Sequence, residues 1–202
     1  MINLLLLNNL YPDAHCMLEY KKDYELLISV MLSAQTTDKK VNEVTKELYK
    51  YNLEEISKLS KEDIIKIIKP LGNYNKKSEY ILKIANSLIT NYQGIVPNDR
   101  TYLESLPGVG HKTTNLVLAE LYNVPTFPVD THVERIAKRL QIAKSSDSVL
   151  EVEHKLMKKI DQDKWIKTHH QMIYFGRNIC KAQNPQCEEC PFNKECKNKK
   201  KI

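Results

Sequence analysis

Four of the chain's five cysteines, Cys180, Cys187, Cys190 and Cys196, crowd into the stretch CKAQNPQCEECPFNKEC, just before a lysine-rich end. Their spacing is C-x6-C-x2-C-x5-C. Four soft thiolates brought to one place suit zinc or an iron–sulfur cluster. Only one C-x-x-C pair is present, Cys187–Cys190, whereas many structural zinc sites use two such knuckles. The residues alone leave both metals open. Disulfides are the poorer reading. The run LLLL at Leu4–Leu7 is too short for a membrane span and lacks the flanks of a signal peptide. No other apolar run approaches the length of a membrane helix, so a soluble, intracellular chain with reduced thiols is expected. Cys16 stands apart and reads as a small, partly buried side chain.

The rest of the chain is patterned for helices. Tyr24, Leu27, Ile28, Met31 and Leu32 fall on one helical face, and Val41, Val44 and Leu48 repeat the pattern beyond the TTD break at Thr36–Asp38. Ser60 can cap a short helix that must stop near Pro70. Tyr80 to Ile89 mark a longer helix ending before Gly94. Further helices are expected over Arg100–Ser105, from Gly110 to about Tyr122, and near Asp130–Gln141, Ser148–Ile160 and Asp163–Asn178. No segment alternates with period two, so the fold class is all-α. At 202 residues the chain suits one large domain or two small ones. The PTFPVD segment, Pro125–Asp130, is the best hinge, because its two prolines forbid helix. A formal net charge of +6 agrees with an anionic partner without requiring one.

Between two of these helices the chain reads LPGVGHK, Leu106–Lys112. Two glycines one residue apart permit a tight turn and close approach of another backbone. The helix that follows starts with free N–H groups and the positive end of its dipole, a place suited to phosphate. It is not a P-loop, because the spacing differs and no strand precedes it. An ordinary helix–turn–helix elbow would show the same pattern. Lys112 falls in the first turn, where the dipole disfavours an ammonium and favours the free amine. A free amine can attack an electrophilic carbon and form a Schiff base; the plainer alternative is a solvated lysine. Asp130 precedes THVERIAKRL and fits an N-cap. A carboxylate near an amine could also stabilise developing positive charge or move protons.

Taken together, LPGVGHKTTN, VDTHVERIAKRL, the cysteine spacing and SVMLSAQTTDKKVN (Ser29–Asn42) resemble the endonuclease III family of helix-hairpin-helix DNA glycosylases. GNYNKK, Gly72–Lys77, matches more loosely. The resemblance runs from about residue 24 to 198 without a large insertion. It implies two helical lobes flanking a DNA-binding cleft. A six-helix barrel over residues 22–131 would carry the hairpin, and residues 1–21 with 132–202 would form an iron–sulfur lobe. The four cysteines are then ligands of a four-iron, four-sulfur cluster with a structural and DNA-binding role.

The family acts on oxidised pyrimidines in duplex DNA in base excision repair. By resemblance, Lys112 is the nucleophile that forms a Schiff base with the flipped sugar, and β-elimination cleaves the strand 3′ of the abasic site. Asp130 matches the carboxylate that supports charge on the sugar. The backbone of Gly108, Val109 and Gly110 would bind a phosphate, and Gln35 would fill the gap left by the flipped nucleotide. His132 and Lys181 are further DNA contacts. The implied partner is damaged double-stranded DNA and not a membrane; a cytoplasmic, DNA-associated monomer is expected.

Three departures stand out. Asn73 occupies the place of a leucine wedge in many relatives. The loop after the first ligand, KAQNPQ, carries only Lys181, with Lys194, Lys197 and Lys199–Lys201 to compensate. The N-terminus is short. Adenine-excising relatives usually have a glutamate at the place of Ser29, lack a lysine at that of Lys112 and carry an extra C-terminal domain. A mismatch thymine glycosylase, a non-catalytic DNA-binding iron–sulfur protein and a zinc-stapled RNA adaptor remain as competing readings.

Overall fold

The computed structural model describes residues 4–194 and 196; Lys197 and Lys199–Lys201 lie outside the described residues. Among the described residues there is no strand. The helices are α1 (Leu4–Leu10), α2 (Asp23–Leu32), α3 (Asp38–Leu48), α4 (Leu53–Lys58), α5 (Lys61–Ile68), α6 (Tyr74–Tyr92), α7 (Arg100–Ser105), α8 (His111–Tyr122), α9 (Thr131–Arg139), α10 (Val149–Lys159) and α11 (Trp165–Asn178). The all-α expectation holds. No helix among the described residues is long and apolar enough to cross a membrane.

Local chemistry sets most helix ends. Thr37, Asn52, Ser60, Asp99, Asp130 and Ser148 each accept a backbone N–H at the start of a helix. Each such cap contributes about 1 kcal/mol. α5 stops at Ile68, just before Pro70 as expected, and a single 3₁₀ turn, Lys69–Leu71, follows, with the proline in its opening residues where no N–H is needed. Gly72 then takes φ +67 and turns the chain into α6. The leucine run near the start is α1, with Leu7 fully buried.

The chain forms two compact units. One is Cys16–Val124, with α2, α3, α5 and α6 around buried Leu27, Ile28, Val41, Ile64, Ile81 and Ile84. The other joins Met1–His15 to Pro125–Ile202, with α9 packed on α11 and α10, and α1 on α11. The boundaries therefore fall before residues 22 and 131. The first lies earlier because Asn42 of α3 holds the Met17 carbonyl at 2.8 Å and accepts from Glu19 N at 3.0 Å. The second lies at Val124 because Phe127 and Val129, from the proline segment, belong to the second unit's core.

Candidate functional site

The hairpin sits in the first unit. α7 ends at Ser105, and Val109 N–H closes a turn onto Leu106 O at 3.1 Å. Gly108 takes φ +78, and a Cβ there would lie 2.6 Å from Tyr80 Cδ2. Both facts demand glycine. Gly110 differs: its φ is −103, and a Cβ there would meet nothing within 4 Å. It is the N-cap of α8 and, being glycine, offers that helix start no capping side chain. The Val109 side chain is buried, so only its main chain can serve a ligand. Arg100 clamps the hairpin, donating to Glu104 at 3.0 Å and to the buried Asn115 of α8 at 2.7 Å.

Lys112 lies half-buried in the first turn of α8, beside the GVG backbone. Its charge is felt by the Cys16 thiol. Burial pushes that thiol up to about 12; the Leu18 N–H and Lys112 oppose the rise, and Glu120 and Asp38 add to it. Cys16 is thus an inert thiol near neutral pH. Ser29, fully buried, shares a 2.6 Å hydrogen bond with the Tyr49 hydroxyl.

Gln35 and Asn73 are both exposed, and both adopt left-handed backbone, at φ 58 and 46. They sit on neighbouring loops. Thr36 Oγ1 donates to Leu71 O at 2.9 Å, and the buried Lys77 ammonium reaches Ala34 O, Thr36 Oγ1 and Leu71 O, each at 3.1 Å. The sequence reading did not single out Lys77 as functional. The available signal was its register: Lys77 precedes Ile81, Ile84, Ala85 and Leu88 on the apolar stripe of α6, where a lysine is out of place.

Asp130 belongs to the second unit. Its Oδ1 accepts the N–H groups of His132 at 2.9 Å and Val133 at 2.8 Å, capping α9. His132 is half-buried against Gly176 of α11, and Arg135 donates to its Nδ1 at 3.0 Å. Burial holds the His132 pKa below 6.5; Asp130 opposes this, and the charges of Arg135 and Arg177 reinforce it.

The four cysteines of the tail rim one cavity of about 160 Å³, together with Arg139, Leu140, Phe175 and Ile179. None is in a disulfide. Among the described residues no three His, Cys, Asp or Glu side chains close on a single-ion site. Thiols spread around a cavity fit a polynuclear cluster better than one tetrahedral zinc. Phe192, between Cys190 and Cys196, anchors the loop by burying its ring edge-on to Phe175, with centroids 5.4 Å apart. Arg135 and Arg139 bind the other end. Arg135 donates from Nε to Cys180 O at 3.1 Å, and Arg139 donates to Lys181 O at 2.7 Å and Ala182 O at 3.2 Å. Lys181 itself stays exposed. Neither arginine was foreseen; both act on residues more than forty positions away, which spacing does not reveal.

Comparison with known proteins agrees with this arrangement. Residues 28–162 match the family model of the HhH-GPD superfamily base excision DNA repair proteins, and residues 180–196 match that of the iron-sulfur binding domain of endonuclease III. The chain is 46% identical to the endonuclease III of Bacillus subtilis over 193 residues, 95% of this chain and 88% of that one. A solved non-covalent complex of an endonuclease III with DNA superposes with a TM-score of 0.93 at 47% identity, covering 96% of this chain and 92% of the other. A trapped covalent endonuclease III–DNA intermediate, an estranged-adenine complex, gives 0.92 at 46%, with the same coverage.

Proposed function

The chain belongs to the endonuclease III family, and from that premise we infer how its own residues carry the reaction. It is a bifunctional DNA glycosylase and abasic-site lyase of base excision repair, acting on oxidised pyrimidines in duplex DNA. The observation that supports the residue assignment is Lys112, an amine in the first turn of α8 just after the glycine N-cap Gly110.

In this assignment Lys112 attacks the anomeric carbon of the extruded deoxyribose, and the damaged base leaves. The ring opens to a Schiff base on the lysine nitrogen, and loss of a proton from the adjacent sugar carbon expels the 3′ phosphate. Asp130 supplies the carboxylate that supports positive charge on the sugar and assists proton transfer. The N–H groups of the Gly108–Gly110 turn hold a phosphate, with Gly110 leaving its approach open. That contact carries no sequence information, as suits an enzyme that searches all DNA. Gln35 and Asn73 fill the space vacated by the extruded nucleotide. His132 and Lys181 add contacts to the DNA backbone.

The cofactor is a four-iron, four-sulfur cluster, with Cys180, Cys187, Cys190 and Cys196 as its ligands. It would supply a rigid closure for the loop that carries Lys181 and take no part in bond breaking. The protein works as a monomer in the cytoplasm, on DNA. Product analysis tests the reading. A duplex with one oxidised pyrimidine should yield free base together with a strand ending in a 3′ unsaturated aldehyde. Free base with an intact strand would indicate a monofunctional enzyme.

A further inference from the structure

Lys77 is 4% exposed, yet it carries a charge into the first turn of α6, where the helix dipole opposes it. Among the described residues no carboxylate pairs with it. Burial lowers its pKa from the ordinary lysine value. An ammonium so placed costs several kcal/mol in desolvation unless oxygens surround it. Three do: Ala34 O, Thr36 Oγ1 and Leu71 O. A methionine of similar length would fill the same space but would leave these acceptors without their shared donor. The charge instead buys one fixed arrangement of its acceptors.

Those acceptors flank two apexes. Ala34 and Thr36 bracket Gln35, and Leu71 lies two residues before Asn73. Both apex residues are exposed and left-handed, and neither is a helix C-cap, where that backbone is ordinary. Asparagine adopts this backbone readily, whereas a glutamine there is uncommon. One buried ammonium therefore touches both loops and fixes their separation.

We propose that Lys77 is a positioning residue: it locks the Ala34–Thr36 loop to the Leu71–Asn73 loop, so that Gln35 and Asn73 enter the DNA stack together at a set spacing. The proposal rests on the reading of Gln35 and Asn73 given above. If both side chains fill the gap together, their separation matters, and a loop displaced by about 1 Å can cost up to a hundredfold in rate. A single-stranded abasic site has no stack to hold open, so Lys77 should not matter there.

The test compares the parent, Lys77→Met, the double variant Gln35→Ala/Asn73→Ala, and the triple variant. Two substrates are used: a duplex with one oxidised pyrimidine, and a single-stranded abasic oligonucleotide trapped with borohydride. Lys77→Met should slow duplex excision at least about tenfold while single-strand trapping stays within about twofold. On the Gln35→Ala/Asn73→Ala background it should add less than about twofold, because the side chains it positions are gone. Equal losses on both substrates would mean general destabilisation and overturn the proposal. A double variant that fails while Lys77→Met matches the parent would overturn it and leave the apex reading standing. A double variant as active as the parent would overturn both. If Lys77→Met does not fold, Thr36→Val, which removes the hydroxyl shared by the ammonium and Leu71 O, carries the same comparison.

Discussion

Arg139 Nη1 lies 3.3 Å from Cys180 Sγ, and the Arg139 carbonyl oxygen lies 3.6 Å from Cys196 Sγ. One residue of α9 thus touches the first and last cysteines of the tail. Its guanidinium offsets the negative charge of clustered thiolates while its fork holds the Lys181 and Ala182 carbonyls. Arg139→Met should keep the packing stem and lose both effects. The visible absorbance of the cluster should then decay at least severalfold faster under an iron chelator. An unchanged decay would show that the cysteines hold the cluster without this clamp.

The two glycines of the hairpin should separate stability from binding. Gly108→Ala puts a Cβ against Tyr80 in a left-handed backbone. It should cost about 1–3 kcal/mol in urea unfolding. Gly110→Ala meets open space and an allowed φ but is a poorer N-cap, so stability should fall by no more than about 1 kcal/mol. Its methyl stands where a phosphate would approach, so DNA affinity should fall. Normal affinity in folded Gly110→Ala would remove this turn from the DNA interface.

Asp130 combines a cap with a charge, and two substitutions divide them. Asn is as good an N-cap as Asp. Asp130→Asn should therefore unfold within about 0.5 kcal/mol of the parent yet lose excision by at least about a hundredfold. Asp130→Ala should lose the activity and about 1 kcal/mol of stability as well. Excision by Asp130→Asn near the parental rate would reduce this residue to a cap.

His132 gives a pH dependence of known sign. Its folded pKa is depressed, chiefly by burial, so the unfolded chain binds the proton more readily. Its stability contribution is complete above 6.5 and is lost as pH falls from that value through the lower folded pKa. The thermal midpoint should drop over this window, and His132→Asn should flatten part of the drop. An identical pH profile in the variant would contradict a burial-depressed His132.

Much of this was legible in the residues. The cysteine spacing, the two glycines before Lys112 and the caps at Ser60 and Asp130 are local chemistry written in neighbouring letters. What escaped was of two kinds. α4 is only six residues, although Asn52 and Glu55 form a capping box that could have announced it; α1 is a leucine run without periodicity. Lys77, Arg135 and Arg139 act on carbonyls of distant segments, and only the folded chain brings these together. A lysine on an apolar stripe and two arginines one turn apart are visible in the sequence, but their acceptors are not.

The central claim is that Lys112 is the nucleophile. Its most direct measurement is borohydride trapping on a duplex bearing one oxidised pyrimidine, with the parent and Lys112→Gln run side by side on a denaturing gel. The account predicts a covalent protein–DNA band in the parent that is absent from a folded Lys112→Gln protein with its cluster intact. A band of equal strength in Lys112→Gln would move the nucleophile elsewhere. No band in a folded, DNA-binding parent would contradict the Schiff-base mechanism itself.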